Sequence, residues 1–189
     1  MYIKVGDEFG DVDLPNLCEL LDMLDEKITG IDSLVSKSRD PESDGLCDRG
    51  EYFIGVGFVA IQQYLIETLW LTGITKKEAY KLGPVHSTGI TYIGLFNSAA
   101  NYWKHEPEWW KKQEDGGLLQ DGKETAYRVY DAAGTTYYPL SNVLASLCAP
   151  EGLSLGALVP YLEKWRAAVD SAADSKRELD KVPVNMENR

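Results

Sequence analysis

The stretch TGITYIGLFNSAANYWKHEPEWW, residues 88–110, predicts one long amphipathic helix and decides the fold class. Its apolar side chains recur at the i, i+3, i+4, i+7 spacing of a helix face that packs on a core. A second stripe on the same predicted helix is polar and consists of Asn97, Asn101, Lys104 and His105. Because Pro107 disfavours the α conformation of the residue before it, the helix is predicted to end just after His105. The stretch therefore predicts a core helix that carries a polar cluster at its end.

A second, more apolar segment predicts the centre of the fold. Glu51–Thr72 is apolar on nearly every side, which is the pattern of a helix buried in a core. Periodic apolar segments predict further helices near residues 14–35, 139–148 and 158–172. Residues 1–189 are therefore expected to form an all-α, single-domain helical bundle around this long central helix.

Three parts of the chain lack a clear helical period. Residues 1–12 and 175–189 are expected to be loosely ordered. Residues 113–138 are expected to form a small irregular or hairpin insertion, because Asp121-Gly122 is a turn dipeptide that suits a hairpin. Residues 123–133 could equally form a helix, and the sequence leaves both alternatives open.

Composition and charge restrict the class of partner. The chain has 189 residues, of which 44% are hydrophobic and 26% charged, and its net charge is −11. An acidic surface repels phosphate backbones, so electrostatic capture of nucleic acid over a broad surface is disfavoured. Two partners remain open, namely RNA at a local basic patch and a basic protein that binds the acidic surface.

Cysteine and histidine usage predicts a chain without metal or cofactor. The cysteines Cys18, Cys47 and Cys148 match no metal-ligand spacing, and scattered cysteines of this kind predict a reducing, cytoplasmic compartment. Two histidines exclude a histidine-rich metal site. No signal peptide and no run of about 18 uninterrupted apolar residues is present, so no membrane association is expected.

The segment from Leu14 to Val35 carries an apolar seam with alternating spacings of three and four residues. Such a seam packs equally well against another helix of its own domain or against a second copy of the chain. A homodimer through the Leu14–Val35 helix is therefore one of two predictions for this segment.

Further binding residues are predicted on either side of the polar stripe. Gln63 and Glu67 form an i, i+4 polar pair within the apolar central helix, where buried polar groups need partners. They are therefore candidates to face His105, with a structural hydrogen bond or an exposed helix edge as the alternative. Beyond Pro107, the predicted binding residues are Trp109, Trp110, Lys111 and Lys112.

In outline, this pattern resembles the HEPN group of helical domains, which occur in toxins, antiphage systems and RNA-processing proteins. The resemblance covers residues 51–112 in topology, and its motif is an arginine that precedes a histidine near a helix end. His105 matches the histidine, and Asn101 matches the polar residue often found before it. The arginine has no match, because residues 98–100 are serine and alanine. The resemblance implies helical packing, dimerisation and metal-free RNA cleavage, or an inactive relative.

Metal-free RNA cleavage requires a base, an acid and a cation beside the phosphate. His105 is the predicted proton-transfer residue because imidazole titrates near neutral pH. Asn101 and Asn97 would support it. Lysine ammonium groups would supply positive charge, and a tryptophan would stack on a base. The predicted cations are Lys104, Lys111 and Lys112, and the predicted stacking residues are Trp109 and Trp110.

Two functional classes follow from these patterns. The first is a HEPN-like ribonuclease or toxin, or an inactive relative, in a defence or toxin–antitoxin system. The second is a non-catalytic acidic interaction protein, similar to an immunity protein or antitoxin, that binds a basic protein. A structural role is the further alternative for the polar stripe, whose side chains would hydrogen-bond loop backbone at the helix end.

Overall fold

The computed structural model describes the backbone of residues 2–5, 8–114 and 120–181, and the side chains of residues 10–109 and 122–178. The described chain is an all-α bundle with one small β-hairpin, which confirms the predicted fold class. Its elements in chain order are β1 (Tyr2–Val5), β2 (Glu8–Asp11), α1 (Asp13–Val35), α2 (Leu46–Leu69), α3 (Lys76–Ala79), α4 (Tyr92–Glu114), α5 (Gln120–Ala133), α6 (Pro139–Cys148), a 3₁₀ turn (Gly156–Leu158) and α7 (Val159–Lys181).

Helix α2 is the centre of the bundle, as its apolar composition predicts. Phe58, Ile61 and Leu65 are fully buried, and α2 packs against α1, α4 and α6. The helix begins at Leu46 rather than at Glu51, because Gly45 adopts the left-handed conformation that starts it. Its length and mean hydropathy of 1.2 would suit a membrane span, but half of that apolar window is buried inside the bundle. Within the described residues, α2 is therefore the core helix of a globular fold.

The apolar seam of α1 packs against the other helices of the same chain. Its six buried residues face the bundle, and they are Leu14, Leu17, Leu21, Leu24, Ile28 and Ile31. This packing is the intramolecular alternative that the heptad pattern predicts. A homodimer stays a prediction, and it would need an exposed part of α1, such as the flank of the seam that carries Leu20, Met23 and Leu34.

Helix α4 does not end after His105, so that prediction is wrong. Pro107 lies inside the helix, which continues to Glu114. Proline removes one backbone hydrogen bond and disfavours the preceding residue, but packing on both sides of it can hold the helix together. Trp109 supplies that packing, because its ring lies 5.8 Å from the Tyr102 ring, centroid to centroid, in an edge-on arrangement. His105 therefore lies in the middle of a helix.

The predicted hairpin near residues 113–138 is also wrong, and the helical alternative is confirmed. Helix α5 buries Ala126, Val129 and Ala132 at spacings of three residues. Gly122 continues the helix instead of making a turn, since it is buried against the indole of Trp109. Residues 115–119 lie outside the described part of the chain.

The N-terminal segment is tied to the bundle through Asp11. Strands β1 and β2 form an antiparallel hairpin within the segment that was expected to be loose. One Asp11 carboxylate oxygen accepts hydrogen bonds from the first backbone amides of α1, and the other accepts from the Tyr64 hydroxyl at 2.7 Å and pairs with Arg166 of α7. Helix α7 extends into the expected C-terminal loose region as far as Lys181, and the prediction for residues 182–189 lies outside the description.

Candidate functional site

Three of the predicted site residues meet around one buried glutamine of α2. The side chain of Gln62, only 4% exposed, faces the polar stripe of α4. Its Nε2 donates to Asn97 Oδ1 at 2.8 Å and to Asn101 Oδ1 at 2.9 Å, and its Oε1 accepts from Lys104 Nζ at 2.6 Å. We call these four residues the Gln62 network.

The ammonium of Lys104 sets the direction of every hydrogen bond in the Gln62 network. A lysine ammonium only donates, so the atom of Gln62 that it contacts must be the carbonyl oxygen Oε1. The amide nitrogen of Gln62 then faces Asn97 and Asn101, which must present their oxygens to it. The Nδ2 groups of both asparagines consequently point away from Gln62.

The environment of Lys104 is short of negative charge. Partial burial lowers the pKa of the Lys104 ammonium, and the positive charge of Lys76 lowers it further. Lys76 belongs to α3, and its ammonium lies 5.3 Å from the centroid of the Tyr80 ring. Within the described residues, neither lysine forms a salt bridge with a carboxylate.

His105 lies outside the Gln62 network. Its Nδ1 is 3.5 Å from a carboxylate oxygen of Glu108, one helical turn further along α4, and its side chain is 47% exposed. This contact differs from the predicted structural alternative, in which the polar stripe would bond to loop backbone. The stripe instead divides into three residues that bind Gln62, of which Lys104 is also exposed, and His105, which makes no contact with Gln62.

Gln63 and Glu67 do not face His105. They are exposed and bond to each other, with Gln63 Nε2 at 2.6 Å from Glu67 Oε1, beside Leu20 in a shallow groove between α1 and α2. The exposed-edge alternative therefore describes this pair, and the buried partner of α4 is the neighbouring Gln62. A polar residue amid apolar neighbours is the signal that could have identified Gln62, but the helix register decides which of two adjacent glutamines is buried.

The predicted binding residues beyond Pro107 are only partly described. Trp109 is half-buried against Tyr102 and α5, so it serves packing. The backbone of residues 110–112 continues α4, but the side chains of Trp110, Lys111 and Lys112 lie outside the described part of the chain. Their predicted roles stay predictions.

Sequence reasoning missed a larger feature, a cavity of 410 Å³ where the loop before α2, the middle of α4 and the start of α6 meet. We call it the Tyr138 pocket. Its carboxylates are Glu42, Asp48, Glu51 and Glu106, and its aromatic residues are Tyr102, Trp103, Tyr137 and Tyr138. No lysine, arginine or histidine is among the described residues that line it.

Glu51 has a clear structural task at the wall of the pocket. Its oxygens accept from the backbone amides of Leu140 and Ser141, at 2.7 and 2.8 Å, and from the Ser141 hydroxyl. They thereby complete the N-terminus of α6, where backbone amides lack helical partners. This cap fixes the pocket wall that α6 and Tyr138 form.

Tyr138 is held in an unusual conformation at the pocket. Its φ is +44°, in the left-handed region that costs a non-glycine residue roughly 1–2 kcal/mol. Asn142 holds this turn by donating to the carbonyl oxygens of Tyr137 and Tyr138 at 3.0 Å each. Desolvation raises the pKa of the Tyr138 hydroxyl, and the charges of Asp48 and Glu42 raise it further, so this side of the pocket is electronegative.

No metal site is evident in the described part of the chain, where no group of three or more histidine, cysteine, aspartate or glutamate side chains is placed to hold an ion. Cys18, Cys47 and Cys148 are free thiols. Comparison of the chain with protein-family models, with curated proteins and with solved structures finds no match. The Tyr138 pocket and the Gln62 network are candidate functional sites within the described residues.

Proposed function

We propose that the chain is a non-catalytic acidic interaction protein, and that its Tyr138 pocket receives a cationic side chain of a basic protein partner. The observation that supports this best is the composition of the pocket, in which carboxylates and aromatic rings line one cavity. Aromatic faces attract cations, and carboxylates pair with them. The expected setting is the cytoplasm, in a role similar to that of an immunity protein or antitoxin.

The net charge of the chain supports the same partner chemistry. A charge of −11 attracts a basic protein at long range and accelerates its association, while it repels nucleic acid. Tyr137, which is 76% exposed at the pocket mouth, offers an aromatic surface for the partner's backbone or side chain. Long-range attraction would bring the partner to the surface, and the pocket would select the cationic side chain.

The test is to measure binding of an arginine- and lysine-containing peptide by titration calorimetry. The double variant Glu42→Gln, Asp48→Asn removes two carboxylates from the pocket, and we expect it to weaken binding by about tenfold or more, because each charged hydrogen bond contributes about 1.5–3 kcal/mol. The matched control is Glu19→Gln, Asp22→Asn, which removes the same charge from the exposed surface of α1. Equal loss in the two double variants would mean that net charge alone drives binding, and no binding by the wild type would refute the proposal.

Ribonuclease activity of the HEPN type is the second candidate. The lysines around the Gln62 network favour it, because they supply the local positive charge that binding of RNA requires. Its proton-transfer residue would be His105. His105→Ala should leave the melting temperature unchanged, because the side chain is half-exposed and contacts only Glu108 among its described partners. Loss of RNA cleavage in this variant would support the nuclease. Wild-type protein that leaves RNA intact at low salt would refute it.

A further inference from the structure

We propose that a second cavity, beside the Tyr138 pocket, receives an aliphatic side chain of the same basic partner. The recognised segment would then carry a cationic and an aliphatic residue close together. This inference rests on the function proposed above and adds a second determinant to it. The cavity has a volume of 190 Å³, and we call it the apolar pocket after its aliphatic lining residues, which are Ile28, Ile31, Val35, Leu46, Ile54 and Leu153.

The first argument is the lining of the apolar pocket. Its floor belongs to the core, because four of its aliphatic residues are buried, namely Ile28, Ile31, Leu46 and Ile54. Asp32 is the only charged residue among the described residues that line it, and it is exposed on α1. An aliphatic side chain gains by leaving water for such a lining, whereas a charged one loses its hydration. Pockets for drug-sized ligands have roughly 300–1,000 Å³, so this smaller volume suits a single side chain.

The second argument is that the two pockets share one wall. Tyr138 lines both of them, and on α2 Cys47 lines the apolar pocket while the next residue, Asp48, lines the Tyr138 pocket. Glu51, on the Tyr138 side, accepts a hydrogen bond at 2.6 Å from the hydroxyl of Ser141, which lines the apolar side. One extended segment can therefore enter both pockets, since its alternate side chains point the same way about 6.5 Å apart.

The third argument is the need for selectivity among basic partners. A net charge of −11 attracts any basic protein, so long-range attraction does not distinguish one from another. A pocket for an aliphatic side chain beside a pocket for a cation does distinguish them, because a partner without the aliphatic residue fills only one of the two. The different chemistry of the two pockets also fixes the direction in which the segment binds.

The test is titration calorimetry with the full chain and matched peptides. The reference is the arginine- and lysine-containing peptide named above, and each test peptide carries one leucine in place of an alanine, two, three or four residues from an arginine. We expect at least one test peptide to bind about tenfold or more tightly than the reference, the effect of burying one leucine side chain. Equal affinities at every spacing would overturn this inference. If Glu42→Gln, Asp48→Asn still weakened binding, the proposed function itself would stand, whereas no binding by any peptide would refute both.

Gly50 offers a variant that fills the apolar pocket and removes no side chain. It lines this pocket, and in the rest of the fold a methyl group at this position would contact only Cγ2 of Ile31, at 3.9 Å. Gly50→Leu should abolish the preference for leucine and keep the affinity for the reference peptide. Gly50→Ala is the milder variant, which suits a helix and should reduce the preference. The matched control is Gly30→Leu on α1, where a methyl group would meet nothing within 4 Å and the preference should stay. Full preference in both Gly50 variants would overturn the inference.

Cys47 gives an independent readout in the wild type. Its free thiol is partly exposed and lines the apolar pocket, so a bound leucine should slow its alkylation by iodoacetamide. The reference peptide should leave this rate unchanged, and the partly exposed Cys18 of α1 is the internal control. Mass spectrometry of the digested protein measures both rates. Unchanged alkylation with a bound test peptide would overturn the inference. So would equally tight binding of a leucine peptide without basic residues, or a wild-type dimer that Gly50→Leu converts to a monomer, because the occupant would then be a free apolar ligand or a second copy of the chain.

Discussion

At the scale of single residues, the buried side chain of Gln62 in α2 binds three polar residues of α4. Asn97, Asn101 and Lys104 share one helix face by spacing alone, and they do act together. The sequence suggests Gln63 and Glu67 as residues that face His105, whereas the glutamine that binds the stripe is the buried Gln62. A shift of one residue turns a helix by about 100°, so a small error in orientation exchanges a buried side chain for an exposed one.

Tyr80 gives a prediction at the same scale. Its hydroxyl is buried and has no hydrogen-bond partner among the described residues. We expect Tyr80→Phe to raise the free energy of unfolding by about 1 kcal/mol, because it removes an unsatisfied polar group and keeps the ring. Urea denaturation measures the change, and Tyr137→Phe at an exposed position is the control. A loss of stability in Tyr80→Phe would show that the hydroxyl has a partner in solution.

The same tyrosine also affects stability in alkali. Burial raises the pKa of Tyr80 to about 12, above the value of about 10 for an unfolded chain. The folded state therefore favours the neutral phenol. The contribution of Tyr80 to the free energy of unfolding is complete below about pH 10 and is lost as the pH rises through 12. Wild-type protein should lose stability between about pH 10 and 12 more steeply than Tyr80→Phe. Parallel pH profiles from urea midpoints would contradict this explanation.

At the scale of elements, packing overrides local signals. Pro107 predicts a helix end, and Asp121-Gly122 predicts a turn, yet α4 continues and α5 is helical where it is described. Both exceptions meet at Trp109, which packs against Tyr102 on one side and Gly122 on the other. The sequence identifies the residues that break helices, but it does not show which of them a tertiary contact compensates.

Gly55 of α2 tests the close packing of α2 and α4. A methyl group at this position would lie 2.3 Å from Cδ2 of Trp103, so the indole would have to move. We expect Gly55→Ala to lower the free energy of unfolding by about 2 kcal/mol, within the range for overpacked cores. Gly30→Ala in α1 is the control, because its methyl group would meet nothing within 4 Å and should gain up to about 1 kcal/mol from helix propensity. Similar stability changes in the two variants would contradict the packing described for Trp103.

At the scale of the whole molecule, the sequence predicts the class of fold but not its cavity. Apolar composition identifies the central helix and apolar periodicity identifies the helix at 14–35, because each segment carries its pattern locally. The Tyr138 pocket combines three segments, near residues 42–51, 102–107 and 136–139, that are far apart along the chain. No spacing within any one of them indicates that they meet.

The oligomeric state of the molecule depends on whether α1 packs only inside the bundle or also against a second copy of the chain. Leu21 is fully buried in the bundle, whereas Met23 on the same helix is 59% exposed. Leu21→Glu should therefore unfold the chain, since an unpaired buried charge costs several kcal/mol, and Met23→Glu should change stability by less than about 0.5 kcal/mol. Circular dichroism and analytical ultracentrifugation measure both effects against the 21.1 kDa monomer. A folded Leu21→Glu monomer derived from a wild-type dimer would instead support the seam as a dimer interface.

The cap that Glu51 places on α6 has a consequence for the order in which the chain folds. The carboxylate and the Leu140 amide it binds are 89 residues apart, so this cap forms only after a long loop has closed. Helix α6 should then gain protection later than α1 and α2, which are neighbours along the chain and pack directly. In pulsed hydrogen exchange during refolding, the amides of Leu140 and Ser141 should be among the last to become protected, and Glu51→Gln should delay them further.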